Sequence, residues 1–154
     1  MELKVMSLSK FSARLKDLMQ EEKMSARKLS RTLNLQRKSI SLWCAGKYYP
    51  KSDSLIKLSN YFEVSVGYLL GINDQASPNK KRITEEQSRI FFHEHLVEYI
   101  EKSDLSYYEI SKELGIGQTV FTRWIRENSM PETTNLIKLS YLMEESIDYI
   151  LGLE

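Results

Sequence analysis

The chain has 154 residues, 42% of them hydrophobic and 28% charged, with a formal net charge of +1. That length allows one ordinary domain or two small ones, and the apolar content excludes wholesale disorder. A single cysteine, Cys44, excludes an intramolecular disulfide framework. The opening MELKVMSLSK, charged at Glu2, Lys4 and Lys10, is expected to be neither a secretory signal nor a membrane span.

The near-zero net charge conceals an asymmetry. Residues 1–80 carry about 14 basic and 7 acidic side chains, roughly +7, whereas residues 81–154 carry about 8 and 14, roughly −6. The two halves therefore cannot have equal affinity for a polyanion.

In chain order, Ser9 is expected to cap a first helix, KFSARLKDLMQEEK, with Phe11, Leu15, Leu18 and Met19 forming an apolar stripe. Ser25 caps the next, on which Leu29 and Leu33 share a face four residues apart. Asn34 stands where the chain must reverse, since Asn is the non-glycine residue that best tolerates the left-handed conformation. Leu35 starts a second short element, with Ile40 and Trp43 facing the core and Gly46 as the stop. Pro50 ends any helix through KYYPKSDS; Ser52 is expected to cap a helix through Phe62, and Ser65 a short last one closed by Gly71.

The stretch Ser25–Gly46, SARKLSRTLNLQRKSISLWCAG, resembles the helix-turn-helix of the phage repressor and Cro family of bacterial DNA-binding proteins. The resemblance runs from about Phe11 to Gly71, ending in SVGYLLG, and departs from the family at Ser30 and Asn34, where Ala and Gly are usual. It implies that the second helix of the pair, residues 36–45, enters the major groove. Arg37 and Lys38 then have the type and place for base contact, a guanidinium donating two bonds to guanine O6 and N7. Ser41 can reach a base or phosphate, Leu42 a thymine methyl and Gln36 a base edge or phosphate oxygen. Arg27, Lys47 and Lys51 suit phosphates, and the backbone N–H groups after Ser25 can hold another. Tyr48 and Tyr49 can touch the sugar-phosphate chain or pack. Read alone, the cluster is more simply an ordinary solvated helix face; the helix-turn-helix setting and the basic surround favour DNA contact.

INDQASPNKKR, residues 72–82, reads as a linker by composition, and Thr84 with Gln87 as a capping box opening a second long helix. A shift of 81 residues then aligns the halves without a gap: Trp43 falls on Trp124, Pro50 on Pro131, LIKLS on LIKLS and Gly71 on Gly152, with roughly 17 identities in 61 positions. The period suits a duplicated small domain rather than a solenoid. Ser106 and Glu109 read as another capping box, and Gly115 stands at the turn. In this second copy Gln118, Thr119, Thr122 and Arg123 occupy the base-reading positions, but Glu98, Glu101, Asp104, Glu109, Glu113, Glu127 and Glu132 surround them and would repel phosphates.

His93 and His95, two residues apart, point to different sides of a helix, so no metal site is expected. Cys44 reads as a small semi-buried side chain, with a redox-sensing thiol as the alternative. Met6, Met19, Met24, Met130 and Met143 read as gap-filling core. No catalytic motif appears, so no enzyme, cofactor or small-molecule ligand is expected.

The expectation is an all-α protein of two tandem repressor-like helix-turn-helix domains of about five helices each: a basic one at 1–71, a linker at 72–83 and an acidic one at 84–154. By resemblance it is a cytoplasmic transcriptional regulator, a repressor binding double-stranded DNA as a homodimer without membrane association. The acidic copy either pairs protomers or meets a second half-site. The rival is a protein-interaction module, such as an antitoxin or antirepressor.

Overall fold

The computed structural model describes residues 2–79 and 81–154, with side chains from Leu8 onward. The described residues hold helices and no strand, and no helix is long and apolar enough to cross a membrane. They divide into two compact units, Met1–Arg82 and Ile83–Glu154.

Unit 1 contains α1 (Glu2–Glu21), α2 (Ala26–Leu33), α3 (Arg37–Cys44), α4 (Ser52–Phe62) and α5 (Val66–Leu69). Helix α1 begins before Ser9, which lies exposed in its interior rather than at a cap. No Gly or Pro interrupts residues 2–8, so nothing local forces the helix to start at the serine. Phe11 and Leu15 are fully buried, Met19 and Met24 nearly so, and Leu18 is half-buried. Met6 lies outside the described side chains. Against this stripe pack Leu29, Ile40 and Trp43, then Leu55, Ile56, Leu58, Val66, Leu69 and Leu70. Each such burial is worth about 1.5–3 kcal/mol, far more than the few tenths separating helix propensities. That is why elements of 8 and 4 residues, too short to persist alone, are helical here.

The α3–α4 connection corrects two readings. Lys51, not Ser52, is the N-cap of α4, and Ser52 is the buried first helical residue. Tyr49 is 9% exposed with its ring 5.9 Å from that of Phe11, so it packs, whereas Tyr48 is 43% exposed.

The Pro- and Asn-rich segment after α5 is tied back onto unit 1. Ser65 N donates to the Ser77 carbonyl at 2.9 Å and Ser77 Oγ to Ser65 Oγ at 3.0 Å. Asn79 Nδ2 donates to Ser59 Oγ at 3.1 Å and Asn60 Oδ1 at 2.8 Å, and the Arg82 guanidinium donates to the Asn60 carbonyl.

Unit 2 contains α6 (Glu85–Lys102), α7 (Tyr107–Leu114), α8 (Gln118–Arg126), α9 (Thr133–Met143) and α10 (Ile147–Ile150). Helices α7, α9 and α10 lie at α2, α4 and α5 displaced by 81 residues, and α8 starts at the same displacement but runs one residue longer. Phe92, Leu96, Ile110, Phe121, Trp124, Leu136 and Ile147 are buried where Phe11, Leu15, Leu29, Ile40, Trp43, Leu55 and Val66 are.

Local caps account for the helix starts. Thr84 Oγ1 accepts from Gln87 N at 3.1 Å while Gln87 Oε1 accepts from Thr84 N at 2.9 Å, a complete capping box. Ser106 forms only half of one: its Oγ accepts from Glu109 N, but the Glu109 carboxylate accepts from the Ser106 hydroxyl rather than from its backbone N–H.

Both histidines serve the fold. His93 Nε2 lies 2.7 Å from the Ile125 carbonyl, where Ser12 Oγ meets the Cys44 carbonyl at 2.6 Å in unit 1. A carbonyl only accepts, so Nε2 carries the proton. His95 stacks on Tyr149 with centroids 4.2 Å apart. Its counterpart Arg14 sits 4.1 Å over the Tyr68 ring and donates to the carbonyls of Tyr68 and Asn73.

Candidate nucleic-acid interface

Two short helices and a tight turn present the candidate reading face of unit 1. Ser25, with extended backbone, accepts at Oγ from Lys28 N at 3.1 Å and so starts α2. Asn34 takes the left-handed conformation at φ 54, ψ 52 that reverses the chain. Ser30, where an alanine is usual in the resembling family, supplies a second tie: Leu35 N donates to the Ser30 carbonyl at 3.0 Å, and the Ser30 hydroxyl donates back to the Leu35 carbonyl. The α2–α3 angle is thus closed by local bonds as well as by the core.

Helix α3 is anchored by Ile40 and Trp43, 0% and 3% exposed. The Trp43 Nε1 is buried with no partner among the described residues, an omission worth about 1–3 kcal/mol. Burying an indole's ~150–250 Å² at ~25 cal/mol per Å² returns about 4–6 kcal/mol, so the ring stays inside. With these two residues inward, Gln36, Arg37, Lys38 and Ser41 are exposed on the outer side and Leu42 is half-buried. Gly46, at φ +71, turns the chain away from the helix end. Lys47 and Lys51 are exposed in the following loop, Arg27 is exposed in the first turn of α2, and Ser25 is exposed before it. Lys28 and Arg31 are exposed on α2 as well; the basic run ARKLSR flags them, although the family-based reading singles out only Arg27.

Cys44 closes α3 half-buried, its Sγ 3.7 Å from Met19 Sδ. Burial pushes its thiol above the ordinary range and Lys16 only partly opposes this, the reverse of what a reactive thiol needs.

In unit 2 the corresponding face has a different chemistry. Gln118, Thr119 and Arg123 are exposed, but the half-buried Thr122 spends its hydroxyl proton on the Gln118 carbonyl at 2.8 Å. Glu109, Glu113, Glu127 and Glu132 are exposed at positions that in unit 1 hold Lys28, Thr32, Gly46 and Lys51. One arrangement of helices therefore displays mainly cations in unit 1 and, in unit 2, carboxylates mixed with the exposed Lys112, Arg123 and Arg126.

Residues 14–75 match the family described as the Cro/C1-type HTH DNA-binding domain. Unit 1 carries that domain. The Cro/C1-type match takes in the last two turns of α1 and all of α2–α5 and does not extend into unit 2. The chain is also similar to a Bacillus subtilis (strain 168) protein described as an uncharacterized HTH-type transcriptional regulator, YobD. The two are 26% identical over 106 residues, 68% of this chain and 85% of YobD. That span exceeds the length of unit 1, so the similarity to YobD reaches beyond the Cro/C1-type domain. No solved structure matches the chain.

Proposed function

We propose that this protein is a sequence-specific, double-stranded-DNA-binding transcriptional regulator that represses by occupying its operator. The carrying observation is the split of α3 in a Cro/C1-type domain: Ile40 and Trp43 lock it to the core while Arg37, Lys38 and Ser41 stand exposed opposite. In this reading α3 lies in the major groove. Arg37 and Lys38 read base edges with Gln36 and Ser41, and Leu42 packs on a thymine methyl. Arg27, Lys47, Lys51 and the helix start after Ser25 hold phosphates and set the register.

Unit 2 is read as a second, acidic domain of the same architecture that binds protein rather than DNA. The equal displacement of its helices supports the common architecture, and the exposed Glu109 and Glu132 at the positions of Lys28 and Lys51 support the changed role. The regulator then acts as a homodimer, its two basic domains on half-sites about 34 Å apart. Selection of binding sites from random duplexes tests both parts. A symmetric pair of half-sites is expected. No enriched sequence would reject the DNA-binding reading and favour a protein-interaction module, while two unlike, unsymmetrical half-sites would show that Gln118, Thr119, Thr122 and Arg123 of unit 2 also read bases.

A further inference from the structure

In unit 2, the α7–α8 turn, α8, the α8–α9 loop and the first turn of α9 line an open cleft of about 700 Å³. Its apolar lining comes from Ile116, Val120, Trp124 and Met130, and its charged lining from Arg123, Glu127 and Glu132. Displaced by 81 residues, the same places in unit 1 hold Leu35, Ser39, Trp43 and Tyr49, and Leu42, Gly46 and Lys51. Two changes decide the chemistry. Val120, 41% exposed, replaces a serine on the outer face of the helix, where the core, already filled by Phe121 and Trp124, does not need it. The charged lining has changed from one cation to one cation and two carboxylates. The loop differs as well: the residue at positive φ is Asn128, at 52°, one place later than the position of Gly46.

We infer that this cleft is a docking site for a segment of a partner protein that offers an apolar anchor flanked by lysine or arginine. The openness of the site, with Val120 and the charged groups exposed, suits a chain segment crossing it rather than an enclosed small molecule. Charge settles the kind of partner. Residues 81–154 carry roughly −6, so a nucleic-acid backbone is repelled. The lining holds two carboxylates against the one cation Arg123, so the same face of a second copy leaves a net like charge unmatched, whereas a basic segment is attracted. This inference rests on the reading of unit 2 as a protein-binding rather than a base-reading unit.

The test is selection of short random linear peptides displayed against the full-length protein, followed by affinity measurement of an enriched sequence. The expected winners place Leu, Ile, Phe or Trp beside Lys or Arg. They should bind Val120→Lys and the Glu127→Lys/Glu132→Lys double variant about tenfold or more weakly. Val120→Ser, which installs the residue of unit 1, gives a milder loss and serves if the lysine variant does not fold. No enrichment, enrichment of acidic peptides, or equal affinity for all variants would overturn the inference. The variants are also titrated with the selected operator. Unchanged DNA affinity without peptide binding would reject the cleft alone, whereas weakened DNA binding by Val120→Lys or Arg123→Ala would reject the reading of unit 2 beneath it.

Discussion

Replacing Gly152 by alanine probes how closely the end of unit 2 meets α6. Gly152 sits at φ +82, and a Cβ built there would fall 2.5 Å from Phe91 Cδ2 and 2.6 Å from its Cβ. The left-handed backbone costs an L-residue about 1–2 kcal/mol. Displacing Phe91, which stacks toward His95 with centroids 6.2 Å apart, adds an overpacking term of about 1–3 kcal/mol. The sum is about 2–5 kcal/mol, against a total stability of about 4–11 kcal/mol for a unit of this size. Two comparison variants separate the terms. Gly46→Ala has φ +71 but no neighbour closer than 3.8 Å, so only the conformational term applies. Gly117→Ala has φ −71 and nothing within 4 Å; the unfolded-chain entropy gain of about 0.4–1 kcal/mol is offset by alanine's poorer fit at the N-cap of α8, so the change should be close to neutral. Urea unfolding followed by circular dichroism should therefore rank Gly152→Ala as the most damaging, then Gly46→Ala, then Gly117→Ala. If Gly152→Ala cost no more than Gly46→Ala, Phe91 would move freely and the close approach would not constrain the unit.

Three further outcomes follow from the geometry. Arg37→Ala should lose about 1–3 kcal/mol of discrimination at one base pair of the operator, while Lys47→Ala should weaken all sequences alike and reduce the salt slope by about 0.9. Anisotropy titrations over several salt concentrations measure both, and equal losses on every operator variant would reject the division of roles. Ser25→Ala leaves the Lys28 N–H without its cap and should destabilise unit 1 by about 0.5–2 kcal/mol in the same urea assay; no change would mean water replaces the hydroxyl fully. For Cys44, burial makes the folded state hold the thiol proton more tightly than the unfolded chain. Any stability from that shift is present below the unfolded thiol's pKa and lost as pH rises through the folded one. Iodoacetamide should accordingly alkylate the folded protein more slowly than the unfolded chain at neutral pH, and equal rates would contradict the burial.

Local chemistry was legible in the residues alone. Ser25, Ser65, Thr84 and Ser106 cap helices because each bond spans only three residues, so a hydroxyl and the following turn suffice to specify it. Asn34 declares its left-handed conformation by type, and the spacing of Phe11, Leu15, Leu29, Ile40 and Trp43 identifies the buried side of each helix. The opposite charges of the two halves are a property of composition.

What needed the tertiary structure was every partner distant in the chain. Ser12 and Cys44 are 32 residues apart, Arg14 and Tyr68 are 54 apart, and His93 meets Ile125 only because α6 packs on α8. The packing of Tyr49 and the return of Ser77, Asn79 and Arg82 onto unit 1 belong to the same class. The cleft beside α8 belongs there too, since residues from 116 to 135 line it. Sequence spacing specifies a bond when its two ends are within one helical turn. Beyond that distance the bond exists only where the burial of the core happens to bring the two groups together.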